Sequence, residues 1–214
     1  MIGQHNQSEI DVILRKNFGT YQKYGKDFAK VRKDAVINTF NNTKKKLEKL
    51  DYVQGNTLTE KGVFSSKIYA DEILTGELFA TEFHEGLNEY HIIMLFAAIC
   101  FEPKEKTEFK EIYHSKFVEE LIRKIKRNNF LQYERKFHYL RQLTALIDPC
   151  YHGKSIFEII NNTNLLEGDL IRFFRQILDR IGQVRKATQD NMLIRLLDNC
   201  ARLIDDTMKD IDAI

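Results

Sequence analysis

Proline occurs only twice in this chain, at Pro103 and Pro149, so long stretches run with nothing to break a helix. Leu, Ile, Lys and Glu fill those stretches and only ten glycines punctuate them, so helix is expected for most of the chain. A length of 214 residues allows one large packing unit or two small ones. Hydrophobic residues make up 43% and charged residues 30%, enough for both a core and a solvated surface.

Hydrophobic spacing divides the chain into elements. Ile10, Ile13, Leu14 and Phe18 predict an amphipathic helix over residues 8–21. Phe28, Val31, Ala35 and Val36 share a stripe, followed by the lysine-rich run from Lys44 to Leu50, and two helices fit there. Residues 52–59 read as two short extended arms around Gly55-Asn56, a two-residue hairpin signal. A helix carrying Leu47 and Leu50, then a hairpin, then Leu58-Thr59-Glu60-Lys61-Gly62, is the layout of a winged-helix unit. Its lysines suit either duplex binding or a solvated face on a packing module. Further helices are expected over 71–83, 88–101, 105–128 and 133–147, the second apolar almost all round and therefore the buried centre. Ser155-Ile156-Phe157-Glu158 has the capping-box pattern and starts a short helix to about Asn162. Helices over 167–186 and from Leu193 to about Met208, the last with an acidic outer face, complete an all-α fold: a helical bundle preceded by a small winged-helix unit with one short β-hairpin.

Charge and cysteine usage narrow the function classes. A formal charge of +2 makes no global field that implies a nucleic-acid partner, so binding must come from local patches. Cys100, Cys150 and Cys200 are odd in number and far apart, and read as reduced thiols of a cytoplasmic protein. The most apolar segment, 92–101, is about half the length that spans a bilayer, and the N-terminus lacks a basic-then-apolar signal, so no membrane partner is expected. Gly153-Lys154-Ser155 imitates a phosphate loop, but Asp148 stands where its first glycine belongs and no strand precedes it, so nucleotide binding is not expected there. Glu134 and His138 lie one helical turn apart with no second pair to complete a metal site. No catalytic residue is assigned. What remains are two stripes: Arg123, Lys126 and Arg127 at i, i+3 and i+4, and Arg172, Arg175 and Asp179 at i, i+3 and i+7. Each suits phosphate contact, with Asp179 as a base-edge or hydroxyl acceptor, and each also suits a solvated helix face.

Glu167-Gly168-Asp169-Leu170-Ile171-Arg172-Phe173-Phe174-Arg175 resembles the Glu-Gly-x-(Leu/Ile)-Ile-Arg-x-x-Arg signature of the DSHCT domain, which ends the superkiller-type, exosome-associated DExH RNA helicases. Gly153 to Ile159 resembles that family's Gly-x-(Ser/Thr)-Phe-x-x-Ile segment, and Thr59 to Val63 and Ala70 to Phe79 are similar to its Thr-x-Lys-Gly and Ala-Asp-Glu-Leu-Leu-x-x-Glu-Leu segments. Val12 to Gln22 is similar to the stretch leaving the second motor domain. Two departures stand out: Asp148-Pro149-Cys150-Tyr151-His152 replaces a tryptophan-containing turn, and Gln176 stands where a second arginine is common. No arch insertion fits between Tyr24 and Val31.

The resemblance implies a linker helix over 1–24, a winged-helix unit over 25–70 and a DSHCT bundle over 71–214. It implies the C-terminal accessory region of an ATP-dependent RNA helicase, guiding single-stranded RNA, with DNA possible, along a ratchet helix bearing Arg123, Lys126 and Arg127 and a second helix bearing Arg172, Arg175 and Asp179. ATP and Mg are then expected only in the RecA-like motor domains, supplied in cis or in trans. A free-standing winged-helix regulator and a structural helical docking module are the alternatives.

Overall fold

The computed structural model describes residues 33–211. The helix expected over 8–21, the linker over 1–24 and the Phe28 and Val31 part of the next stripe lie outside the described residues. The chain forms two compact units, Met1–Thr57 and Leu58–Ile214.

In the first unit, helix α1 (Lys33–Lys49) runs unbroken through Asn41-Asn42-Thr43, where the sequence predicts a division into two helices. Asn and Thr each cost a helix only about half a kcal/mol, less than the cost of nucleating a second one. The end of α1 is a Schellman closure: Tyr52 N donates to Leu47 O at 2.9 Å and Asp51 N to Glu48 O at 3.2 Å, with Asp51 left-handed at φ 60°. Strands β1 (Val53–Gln54) and β2 (Thr57–Leu58) then form the expected hairpin, whose first turn residue, Gly55, takes φ +63°.

The second unit is the helical bundle. Its first helix, α2 (Glu60–Ser65), is capped by Thr59, whose hydroxyl accepts from Gly62 N. Phe64 and Ile68 join the same buried cluster as Leu78 and Phe96, so this segment packs with the bundle that follows it. Lys61 reinforces the join through an ion pair with the buried Glu77 at 2.6 Å.

Helix α3 (Glu72–Phe79) stops before a 3-10 turn at Glu82–His84, because Thr81 caps that turn instead of continuing the helix. Helix α4 (Glu89–Cys100) is the buried centre its composition predicts: every residue from Tyr90 to Ile99 is buried. Around it pack α5 (Lys116–Arg127), α6 (Leu140–Tyr151), α8 (Glu167–Ala187) and α9 (Asn191–Met208). The short α7 (Ile156–Ile159) carries the expected capping box between Ser155 and Glu158. The outer face of α9 is mixed, not acidic as expected, since Arg195 and Arg202 are exposed beside Asp205 and Asp206.

The largest departure concerns residues 105–128, expected as one helix. Only Lys116–Arg127 is helical. Upstream, Asn164 accepts from Glu108 N at 2.9 Å and donates to Lys106 O, Lys110 N donates to Asn162 O, and Phe109 bridges to Thr163. Those tertiary bonds satisfy the backbone that a helix would otherwise satisfy, so they override the local spacing.

Candidate nucleic-acid interface

Helix α8 buries Leu170, Phe173, Phe174, Ile177, Ile181 and Val184, a stripe that fixes which face turns outward. Glu167 and Asp169 occupy its first turn, where carboxylates complement the positive end of the helix dipole. Arg172, Arg175 and Asp179 fall on the opposite, exposed face. Arg172 and Arg175 make no hydrogen bond or ion pair among the described residues. Their neighbours on the same helix differ: Arg180 donates to Ala70 O at 2.6 Å, Arg185 pairs with Asp198, and Asp169 holds Lys104. Asp179 accepts from Gln183 Nε2 at 2.6 Å, which leaves acceptor capacity on its carboxylate. Beside Arg172 lies a cavity of about 120 Å³ walled by Phe101, Phe173 and Gln176. Gly168, in the first turn of α8, faces open space, and an added methyl would meet nothing within 4 Å.

Helix α5 repeats the arrangement on a smaller scale. Val118, Leu121 and Ile125 are buried, so Arg123, Lys126 and Arg127 share the exposed side. They too lack a hydrogen bond or ion pair among the described residues. Lys124, in contrast, turns inward, donates to Glu85 O at 2.6 Å and lies over the Phe83 ring. Partial burial lowers its pKa below the usual lysine range. As a 12-residue helix, α5 is much shorter than the ratchet helix the sequence places there. Helices α5 and α8 each pack on α4, with α5 also against α6 and α8 also against α9; no hydrogen bond or ion pair links the two stripes.

A groove of about 420 Å³ was not foreseen from the sequence. The extended segment before α5 places Ile112 and Tyr113 against α5 and α6, where Arg141 makes two bonds to Glu119, at 2.7 and 2.9 Å. Phe109, Ile112, Tyr113 and Phe117 recur at helical spacing, which disguised the break. Ser115, an N-cap residue type just before the helix, was the signal available.

Elsewhere, backbone donors of the Gly153-Lys154-Ser155 turn are taken internally: Gly153 N by Cys150 O, Lys154 N by Pro149 O and Ser155 N by Glu158. The Lys154 ammonium also binds Glu158, at 2.8 Å. His138 is exposed, and the described residues contain no group of three side chains able to hold a metal. The three cysteines are free, and burial pushes the Cys100 and Cys150 thiols up to about 11. Among the described residues, no helix is long and apolar enough to cross a membrane.

A family model, described as the DSHCT (NUC185) domain, matches residues 55–211, well over half of the chain. Comparison with curated proteins finds no match.

Proposed function

Because the chain belongs to the DSHCT domain family, the C-terminal region of DExH-type RNA helicases, we propose that its bundle guides single-stranded RNA through the channel of such a helicase. The observation that carries this reading is the contrast along α8: Arg172 and Arg175 stand exposed without partners, while Arg180 and Arg185 on the same helix are committed to internal bonds. Cations kept free of carboxylates remain available to phosphate, and a few separated ones hold a backbone loosely enough to let it advance. Gly168 supports the same reading, since nothing inside the fold requires a glycine there and its absent side chain leaves room for an outside backbone. Arg123, Lys126 and Arg127 form a second contact on α5, and Asp179 accepts from a sugar hydroxyl or a base edge. Single-stranded DNA offers the same phosphates.

In this reading residues 25–70 act as a winged-helix unit whose last helix, α2, is shared with the core of the bundle, and RecA-like motor domains, in cis or in trans, hold ATP and Mg and supply the force. The protein works in the cytoplasm, where thiols such as these stay reduced. The test is strand unwinding by the chain joined to its motor domains. Arg172→Ala with Arg175→Ala should slow unwinding and reduce the slope of log affinity against log salt by about 1.4, at about 0.7 per lost phosphate contact on a single strand. ATP hydrolysis without RNA should not change. Unchanged unwinding and slope would mark the stripe as an ordinary solvated face.

A further inference from the structure

We propose that the groove between the extended segment at Ile112 and Tyr113, α5 and α6 is a stacking subsite for one unpaired nucleobase of the guided strand. This inference rests on the RNA-guiding reading and deepens it. The groove, about 420 Å³, is larger than the small cavity beside Arg172. Three features fit it to a base. First, it has an aromatic wall that is already positioned: Tyr113 N donates to Thr144 Oγ1 at 3.0 Å, and its hydroxyl donates to Glu111 at 2.8 Å, so the ring loses little freedom on binding. Second, Arg141 is fixed by two bonds to Glu119, and a guanidinium so held presents a flat face on which a base stacks. Third, the charge at the rim suits a phosphate on either side of the base. Glu119 is neutralised by Arg141, while Lys116 and Arg123 line the groove without an ion pair, against the carboxylates of Glu120 in the lining and Glu111, which accepts from the Tyr113 hydroxyl at the edge of the wall. Lys126 and Arg127 extend that positive rim along α5. An exposed apolar residue, Ile112, completes the lining where a base edge would otherwise meet water.

Aromatic platforms beside a cationic track are how proteins hold single strands without reading sequence. The subsite therefore takes any base and prefers unpaired strands to duplex. It also gives a function to the interruption of the helix expected over 105–128: a continuous helix would fill the space that Tyr113 and Ile112 leave open.

The test uses the full chain with a short oligouridylate at low salt, read by fluorescence anisotropy, and the same oligomer carrying 4-thiouridine, read by photo-crosslink mapping. Tyr113→Ala should weaken binding roughly 5- to 150-fold, the range for losing one base–aromatic stack, with the salt slope unchanged. Tyr113→Phe keeps the ring but loses the hydroxyl bond to Glu111, so it should bind more weakly than the parent by far less than Tyr113→Ala does. Crosslinks should fall between Ile112 and Arg123. Arg123→Ala with Arg127→Ala should instead lower the salt slope. If Tyr113→Ala binds normally while the arginine pair changes the slope, the subsite is wrong and the guiding reading stands. Occupation of the groove by a peptide gives that same result, with crosslinks elsewhere. If neither variant matters, and Arg172→Ala with Arg175→Ala is also silent, the guiding reading itself fails.

Discussion

Pro149 lies inside α6, and its missing N–H leaves the carbonyl of Ala145, a fully buried residue, without its usual partner one turn on. Asn162 supplies that partner: its Nδ2 donates to Ala145 O at 2.9 Å, while its own backbone carbonyl accepts from Lys110 N. A proline that would otherwise break the helix is thus tolerated because a side chain two elements away completes the backbone bonding. Asn162→Ala should cost about 1–3 kcal/mol, the penalty for stranding a buried acceptor, measured by urea unfolding followed by circular dichroism. Pro149→Ala in that background should recover part of the loss by restoring the donor within α6. Strictly additive effects of the two changes would show that the Ala145 carbonyl does not link them.

At the scale of elements, α4 was legible because nearly every residue in it is apolar, a pattern only burial explains. Its cap was not legible. Asn88 Oδ1 accepts from His91 N at 3.1 Å and His91 Nδ1 accepts from Asn88 N at 3.2 Å, so a histidine takes the place that Glu or Gln holds in the usual box. The capping box at Ser155 and Glu158 was found because it has the common residues. His91 is buried against the Phe117 ring, and burial lowers its pKa below 6.5, partly opposed by the nearby Phe117 carbonyl. The unfolded chain therefore binds the proton more readily than the folded one. The His91 contribution to stability is complete above about pH 6.5 and is lost as pH falls through the lower folded value. His91→Gln keeps an acceptor at this position without titrating, so it should flatten the fall in stability that begins as pH drops below about 6.5. An equal decline in both proteins would assign the acid sensitivity to other groups. The helix expected over 105–128 failed for a different reason. Its apolar spacing is helical, but Asn162 and Asn164, more than fifty residues later, capture the backbone of 106–110. No local window contains that information. Of the candidate site, the shared face of each stripe was readable because i, i+3, i+4 and i+7 spacing survives wherever the helix forms, whereas the groove at Tyr113 exists only because the helix does not.

For the whole molecule, a net charge of +2 hides an uneven use of cations. Lys61, Lys104, Lys136, Arg141, Lys154, Arg180 and Arg185 are engaged in ion pairs. In the bundle, the five stripe cations Arg123, Lys126, Arg127, Arg172 and Arg175 are exposed and without such pairs. If those five and Lys116 at the groove carry single-strand binding, the salt slope of the chain without motor domains should not exceed a magnitude of about 4.2, at about 0.7 per contact. Affinity should accordingly be weak at physiological salt, since so few phosphate contacts would hold the strand. Helix α1 presents Lys45, Lys46 and Lys49 to solvent as well, and these provide the control. Replacing all three with alanine should leave the single-strand slope and the affinity for duplex RNA unchanged if they form a solvated face. A drop in duplex affinity confined to that variant would instead make α1 a duplex-binding helix, and a fall of about 2 in the single-strand slope would bring it onto the same strand as the bundle.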